Sequence, residues 1–254
     1  MSYPYFFIKN ENLIGETEVV IKGRDLNHLA YVLRAKKGDL VEMSDNCSNR
    51  YKTELLEIHK SEAILKIKEK RKIYRQKPEI ILLQCILKKE AMELVIQKTT
   101  EIGITVIVPV FSGRVIVEAN KDKIKNKLAR WQIIAEQASK QSKRDFICSI
   151  MPAVNLKDIE PSKYGLFFIP SEVKNGTLGG DISFLDRYGN DCNKVDKIAY
   201  IIGPEGGFEE YEIDFLAAKG ANLINFGRNI LRSETASIYF LSVLDYLIKK
   251  GSKD

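Results

Sequence analysis

The chain has 254 residues, of which 44% are hydrophobic and 29% are charged, and its formal net charge is +6. This composition is ordinary for a soluble globular protein, and no apolar run is long enough to cross a membrane. The first residues lack the basic and apolar regions of a secretory signal, and Cys47, Cys85, Cys148 and Cys192 lack the paired spacing of a zinc motif. We therefore expect a cytoplasmic protein with free thiols, no metal ion and no membrane partner.

The positive charge is concentrated in the first third of the chain. Residues 1–77 hold 16 Lys or Arg against 11 Asp or Glu, whereas residues 78–254 hold 24 against 23. The densest cluster comprises Lys66, Lys68, Lys70, Arg71, Lys72, Arg75 and Lys77. Such a cluster favours a polyanion, because binding releases counterions from the phosphates. A solvated strand and linker is the structural alternative.

The N-terminal third predicts mainly β-structure. The predicted strands are residues 5–8, 18–21, 40–44, 51–58 and 63–68. One helix interrupts them, with Asp25 as its expected N-cap and Leu26, Leu29, Val32 and Leu33 at helical spacing. Short strands with one small helix are typical of a small β-barrel. The polar stretch 71–78 then predicts a boundary between domains at residues 1–72 and 73–254.

Beyond that boundary, strands and helices alternate. Predicted strands lie at residues 79–87, 106–110, 166–169, 198–202 and 223–226. Predicted helices lie at residues 91–102, 124–140 and 234–249, and residues 172–196 predict an exposed loop. This alternation is typical of an α/β fold whose mostly parallel sheet is covered on both faces.

The first of two glycine-bearing turns follows the predicted strand 198–202. It reads Ile-Gly-Pro-Glu-Gly-Gly-Phe over residues 202–208. Its glycines remove Cβ atoms, so that backbone polar groups can touch a ligand directly. The pattern matches neither a phosphate-binding P-loop nor a dinucleotide-binding fingerprint. The structural alternative is a tight turn capped by Glu205.

The second turn, residues 225–236, carries more side-chain chemistry. Arg228 and Arg232 flank Asn-Ile-Leu, and Ser233 is the expected N-cap of the last helix. Such a helix start can hold an anion or orient the edge of a base. A local ion pair of Arg232 with Glu234 is the alternative, and at a surface it would stabilise little. Two adjacent strand-to-helix turns predict one shared small-molecule pocket.

Several motifs together closely resemble the bacterial small-subunit rRNA uridine-N3 methyltransferases (RsmE type) of the SPOUT class. Besides the two turns, the matching segments are His28-Leu29 with Val32-Leu33-Arg34 and Lys37-Gly38-Asp39, residues 97–103 with Pro109, and residues 141–144. The resemblance spans almost the whole chain. Asn27 departs from a histidine of many relatives, and Lys143 replaces a common glycine.

The resemblance implies a PUA-like RNA-binding barrel followed by an α/β domain with a C-terminal trefoil knot. It also implies a homodimer, with S-adenosylmethionine bent in the knot between loops at residues 170–172, 203–207 and 226–231. The cofactor-binding residues predicted in this way are Pro170, Gly203, Pro204, Glu205, Gly206, Gly207, Phe226, Gly227, Ile230, Leu231 and Thr235.

The implied reaction is in-line methyl transfer from a sulfonium to N3 of a uracil in 16S rRNA. The enzyme then works mainly by positioning and desolvation. Because uracil N3 is protonated at neutral pH, a group must stabilise the developing anion or accept the proton. Arg232 is the first candidate for the electrostatic role and Arg144 the second. Glu234 and Glu205 are candidate proton acceptors.

Each of these side chains has a structural alternative. Arg144 would serve as a phosphate clamp, Glu205 as a loop cap and Glu234 as an ordinary helix-start residue. The residues expected to contact RNA are His28, Arg34, Lys66, Lys68, Lys70 and Lys72.

The expected partner is 16S rRNA, free or in an assembled small ribosomal subunit, and its target base would leave the stack. Two other functions stay open. One is a non-catalytic RNA-binding protein with the same fold, and the other is a SPOUT methyltransferase acting elsewhere, such as on a ribose 2′-hydroxyl.

Overall fold

A computed structural model describes residues 3–113, 121–170, 188–224 and 229–251, apart from the side chains of residues 121–123. The chain divides into two compact units. The first consists of Met1–Arg75 with Ser139–Ile147, and the second of Gln76–Ala138 with Cys148–Asp254. Residues 139–147, which the predicted boundary assigns to the C-terminal domain, therefore pack with the N-terminal unit.

The first unit is built on a six-stranded sheet with strand order β1-β4-β5-β6-β3-β2. Its strands are β1 (Tyr5–Phe7), β2 (Leu13–Ile14), β3 (Glu18–Lys22), β4 (Leu40–Ser44), β5 (Asn49–Ile58) and β6 (Glu62–Lys72). β1 pairs with β4 in parallel, and the other pairs are antiparallel. Along β5, buried Tyr51, Thr53 and Leu55 alternate with more exposed residues, as one covered face requires.

The helix of the first unit begins earlier than the sequence predicts. α1 spans Gly23–Asn27 with Lys22 as its N-cap, and a π-helical turn follows at His28–Val32. The prediction of Asp25 as N-cap is therefore wrong. Gly23 adopts a φ of +61°, which lets the chain pass directly from β3 into the helix. Asp25 lies inside α1, and its carboxylate accepts a hydrogen bond from Lys140 Nζ at 2.9 Å.

The second unit holds a seven-stranded sheet in which every described pair is parallel. The strand order is β10-β8-β7-β12-β11-β13, with β9 beside β8. The strands are β7 (Glu79–Cys85), β8 (Val106–Phe111), β9 (Ser149–Ile150), β10 (Val154–Asn155), β11 (Leu166–Pro170), β12 (Lys197–Ile202) and β13 (Asn222–Ile224). The predicted α/β fold with a mostly parallel sheet is confirmed.

Both faces of this sheet are covered, which explains the nearly continuous apolar runs of its central strands. The helices described in this unit are α2 (Lys89–Ile102), α3 (Lys121–Gln141), α4 (Glu210–Ala218) and α5 (Ser233–Gly251). On one face Leu82 of β7 belongs to a core with residues of α2 and α5, and on the other Leu83 belongs to a core with Leu216 of α4. None of the described helices is long and apolar enough to cross a membrane.

The predicted loop at residues 172–196 is described only from residue 188 onward. That part is not wholly exposed, because Cys192 is buried and the Tyr188 ring packs edge-on against Phe168 with centroids 5.1 Å apart. The four cysteines are free thiols, as the sequence predicts.

Candidate active site

The turn that follows β12, residues 203–207, is here called the glycine turn. Pro204 is buried, whereas Glu205, Gly206 and Gly207 are exposed. The Gly207 N–H donates to the Pro204 carbonyl at 2.9 Å and closes the turn. Gly207 has a φ of +71°, a left-handed conformation that other residues adopt only with strain. The turn therefore presents exposed backbone that is almost bare of side chains.

Gly203 is required for a different reason. A Cβ atom at this position would lie 3.2 Å from the Phe208 ring, closer than ordinary van der Waals contact. Phe208 in turn packs against the core on the α4 side of the sheet. Gly203 thus allows close packing of the glycine turn against Phe208.

The Glu205 side chain links the glycine turn to the segment between β7 and α2. Its Oε1 accepts a hydrogen bond from the backbone N–H of Lys88 at 3.1 Å, and Lys88 is the N-cap residue of α2. The carboxylate therefore braces the turn against the connection between β7 and α2. This contact differs from the cap within the turn that the sequence suggests as an alternative.

A set of buried polar side chains joins the glycine turn to the start of α5. We call Gln84, Ser233 and Ser237 the serine bridge. Ser233 Oγ donates to the Gly203 carbonyl at 2.6 Å, and Gln84 Nε2 donates to Ser233 Oγ at 3.1 Å. Ser237 Oγ donates to Gln84 Oε1 at 2.6 Å. The ends of β7 and β12 and the first turns of α5 are thereby linked through side chains that water does not reach.

The serine bridge overturns the prediction of Ser233 as an N-cap. Ser233 is the first residue of α5, and its hydroxyl is directed to the Gly203 carbonyl. Arg232 occupies the capping position instead, since its carbonyl accepts the Ala236 N–H at 2.8 Å. A buried carbonyl and the buried Gln84 amide are partners that a hydroxyl at this site satisfies at little cost.

Arg232 is exposed at the start of α5. Among the residues described in the structure, no ion pair joins it to Glu234, so the predicted local pair is not observed there. A cation at a helix N-terminus faces the positive end of the helix dipole, so α5 gains no stability from Arg232. Glu234, half-buried in the first turn, has the opposite and favourable sign.

Other predicted cofactor residues lie at the same edge of the sheet. Pro170 ends β11 and pairs with Ile224 of β13. Because β7, β12, β11 and β13 are adjacent and parallel, their carboxyl ends meet along one edge. Leu231 is half-buried, while Ile230 and Thr235 are exposed. Phe226 and Gly227 lie outside the described residues, as do Arg228 and residues 171–172.

Arg144 belongs to the first unit and is therefore not part of this strand-end cluster. It is half-buried, and its backbone carbonyl accepts a hydrogen bond from the Tyr5 hydroxyl at 2.7 Å. Its predicted role remains a prediction.

Of the residues predicted to contact RNA, His28 and Arg34 are exposed on and after the π-helical turn. The His28 ring lies edge-on to Phe6 with centroids 5.8 Å apart, and Arg34 adopts a left-handed φ of +52°.

The four lysines of β6 divide between the two faces of their sheet. A register shift opposite Lys52 and Thr53 interrupts the alternation of β6 at Lys68. Lys66 pairs with Glu54, and Lys68 Nζ contacts the same carboxylate at 2.8 Å. Lys70 instead pairs with buried Tyr51, and Lys72 lies two residues further on that same face. The sequence pattern alone does not reveal this division.

Sequence reasoning missed Gln84 and Ser237. Gln84 is a fully buried polar residue inside the apolar run of β7, and Ser237 lies one helical turn after Ser233. The position of Gln84 within an apolar strand is the feature of the sequence that could have indicated a buried polar contact.

The described parts of the chain show a protonated Cys85 thiol and no cluster of metal ligands. Burial raises the pKa of the Cys85 thiol to about 12, so it stays protonated at neutral pH. The described residues contain no group of three or more His, Cys, Asp or Glu able to hold a metal ion.

Comparisons with known proteins bear on this site. Residues 75–245 match the family model of the RNA methyltransferase domain. The chain is 34% identical over 242 residues to ribosomal RNA small subunit methyltransferase E of Mesomycoplasma hyopneumoniae, covering 94% of this chain and 97% of that protein. It is 26% identical over 244 residues to the Bacillus subtilis protein of the same name, covering 95% of each.

Two solved structures with the methyl donor bound are similar over nearly the whole chain. Ribosomal RNA small subunit methyltransferase E from Neisseria gonorrhoeae, bound to S-adenosyl methionine, has a TM-score of 0.80 and 27% identity, with coverage of 97% of this chain and 98% of that chain. A methyltransferase from Legionella pneumophila in complex with the same cofactor has a TM-score of 0.79 and 26% identity, with the same coverage.

Proposed function

Because this chain belongs to the RNA methyltransferase family, with ribosomal RNA small subunit methyltransferases E among its relatives, we propose that it methylates N3 of a uridine in 16S rRNA. It is an S-adenosylmethionine-dependent methyltransferase of small-subunit ribosomal RNA. The choice of uridine N3 is supported by the resemblance of the two turns and the three earlier segments to the N3-specific enzymes.

One observation carries the proposal: an exposed arginine without an ion-pair partner among the described residues lies at the start of α5, directly before a serine bound to the glycine turn. Arg232 does not stabilise its helix, whereas Ser233 holds the Gly203 carbonyl at 2.6 Å. A cation placed at a structural cost beside a bare backbone turn is typical of a ligand-binding site.

The glycine turn suits the methyl donor. Its residues 205–207 are exposed, and the two glycines carry no side chain, so that a ligand can approach the backbone closely. When bound, S-adenosylmethionine supplies a methyl group on a sulfonium, an electrophile that needs no metal. We assign its binding to the glycine turn together with Pro170, Phe226, Gly227, Ile230, Leu231 and Thr235.

Arg232 has the chemistry to activate the acceptor. Loss of the N3 proton leaves a uracil anion whose charge is shared by two carbonyl oxygens. The planar guanidinium offers parallel N–H donors that match such an edge. Preorganised donors of this kind stabilise developing charge in a site from which water is excluded.

Glu234 is the better candidate for the proton acceptor. It lies two residues from Arg232 in the first turn of α5. Glu205 already accepts the Lys88 N–H, and moving its carboxylate to substrate would release that brace. We therefore assign proton removal to Glu234.

The proposal extends to the fold and its domains. It includes a PUA-like barrel in residues 1–72 and a methyltransferase domain with a C-terminal trefoil knot in residues 73–254. The strand order supports a knot: β13 pairs with β11 at the edge of the sheet, yet α5, which follows it, begins beside the ends of β7 and β12.

A homodimer acting on ribosomal RNA in the cytoplasm completes the proposal. Tyr239 and Tyr246 lie seven residues apart on one side of α5 and are 45% and 59% exposed. A second copy covering these rings would lie against the helix that Arg232 precedes.

The test is methylation of 16S rRNA, free and in small subunits, by the wild-type chain and by Arg232→Ala. We expect the variant to lower kcat on the order of 100-fold, with unchanged affinity for S-adenosylmethionine in calorimetry. Nucleoside mass analysis identifies the product. Methylated ribose would establish the 2′-O alternative, and RNA binding without methyl transfer would establish the non-catalytic one.

A further inference from the structure

Residues 143–147, here called the anchored loop, are held within the first unit by several hydrogen bonds to their backbone. The carbonyls of three consecutive residues accept side-chain hydrogen bonds, and one N–H donates. The contacts are Arg50 Nη1 to Lys143 O at 3.3 Å, Tyr5 OH to Arg144 O at 2.7 Å, Ser44 Oγ to Asp145 O at 2.6 Å, and Ile147 N to Asn46 Oδ1 at 2.8 Å.

Arg50 is the centre of this arrangement. Besides the Lys143 carbonyl, its guanidinium donates to Asp145 Oδ1 at 2.9 Å and to Glu42 Oε2 at 3.0 Å. It also lies over the Tyr5 ring, 4.8 Å from the centroid. Only 15% of the Arg50 side chain is exposed, so its charge is largely desolvated and its bonds are geometrically constrained.

The loop backbone is in a conformation that needs such support. Lys143 has a left-handed φ of +54°, and the Arg144 N–H donates back to the Ser139 carbonyl near the end of α3. A non-glycine residue in this region is strained. Lys143 Nζ bonds Glu42 Oε2 at 3.0 Å, so side chain and backbone of this residue are both fixed.

We propose that Arg50 is a positioning residue for Arg144. Arg50 binds the Lys143 carbonyl and the Asp145 carboxylate, on either side of Arg144. These two contacts fix the backbone at Arg144 and thereby the direction of its Cα–Cβ bond. This inference rests on the proposed function and on the role that the sequence predicts for Arg144, which is to stabilise the developing charge on the uracil.

The kinetic test is a double-mutant cycle in the full-length protein. Arg50→Ala should lower kcat for rRNA methylation about 10-fold, with KM and donor affinity unchanged, because a small displacement of a positioned group costs rate more than binding. Arg50→Ala combined with Arg144→Ala should be no slower than Arg144→Ala alone. Multiplied losses, or full activity of Arg144→Ala, would overturn the inference.

Milder variants distinguish a loss of positioning from a folding defect. Tyr5→Phe removes the hydroxyl that bonds the Arg144 carbonyl and Ser44 but keeps the ring, and Arg50→Lys keeps the charge but loses the planar fork. Both should lower kcat less than Arg50→Ala does. The matched control is Lys22→Met, which breaks the ion pair with Glu62 on the same sheet without touching the anchored loop.

Hydrogen exchange gives a readout that does not depend on catalysis. In Arg50→Ala and Tyr5→Phe, amides 144–147 should exchange faster, while those of β8 stay unchanged. Unaltered exchange would overturn the inference. Absence of methyl transfer by the wild-type protein would instead refute the proposed function, and exchange alone would then decide whether Arg50 orients the loop.

Discussion

Two irregular segments of the chain, the glycine turn near Arg232 and the anchored loop that contains Arg144, are held by different kinds of contact. In the serine bridge, Gln84, Ser233 and Ser237 are neutral and buried. The side chains that hold the anchored loop include Arg50, Glu42 and Asp145, which are charged and partly exposed.

The difference determines how each segment responds to solution conditions. Buried neutral hydrogen bonds carry no net charge for salt to screen and no group that titrates near neutral pH. The strength of partly exposed ion pairs depends on the salt concentration and on the pH. We therefore expect the serine bridge to keep its geometry over a wide range of conditions, and we expect the contacts of the anchored loop to change with salt and pH.

The largest effect is expected from Ser233→Ala. The substitution leaves the Gly203 carbonyl and the Gln84 amide without their hydroxyl partner, at a cost of about 1–3 kcal/mol in the free energy of unfolding. Donor affinity in calorimetry should fall with it. Ser242→Ala is the matched control, because that hydroxyl is exposed on the same helix and bonds only the Ile238 carbonyl. Equal losses in both variants would mean that the serine bridge does not hold the turn.

Gly207→Ala should have the next largest effect. A side chain at a φ of +71° costs about 1–2 kcal/mol, and relief of that strain would distort the exposed backbone of the glycine turn. Gly15→Ala is the control, since Gly15 has a φ of +58° in the first unit and equally open surroundings. Denaturant unfolding should show similar losses for both, but only Gly207→Ala should weaken donor binding.

Acid should loosen the anchored loop and spare the serine bridge. Burial alone would raise the pKa of Glu42, but hydrogen bonds from Lys143 and Arg50 outweigh burial and lower it below its ordinary 4.5. A lowered carboxyl pKa stabilises the folded state above the unfolded pKa, and that stability is lost as pH falls from 4.5 through the folded value. Amides 144–147 should therefore lose protection in this range, after correction for intrinsic exchange. In Glu42→Gln this pH dependence should disappear.

The smallest effect is expected from the lysines of β6, whose two faces are compared as contacts for RNA. Lys68 is already paired with Glu54, whereas Lys70 and Lys72 lie on the other face of β6. Lys70→Gln with Lys72→Gln should reduce the salt dependence of RNA binding by about one unit of slope for each phosphate that is no longer neutralised, and more than Lys66→Gln with Lys68→Gln. A larger change from the second pair would place RNA on the Glu54 face.

Local features of the fold could be predicted from the sequence because their causes lie within a few residues. Met92, Val95, Ile96 and Thr99 are spaced for one buried helical face, and α2 forms there. The apolar runs of β7 and β12 predict strands covered on both sides, and the glycine spacing predicts a turn of exposed backbone. The α/β class and the location of the candidate site follow from these patterns.

The partners of individual side chains were decided only by the tertiary structure. Ser233 has the sequence features of an N-cap, yet its hydroxyl bonds a carbonyl 30 residues away and an amide 149 residues away. Residues 139–147 continue from a helix of the second unit but pack with the first, through Arg50 and Tyr5 more than 90 residues earlier. The periodicity of apolar residues indicates which face of a helix or strand is buried, because buried positions recur at regular intervals along the chain. It does not record which distant polar group completes a hydrogen bond, because that depends on where the folded backbone brings the two together.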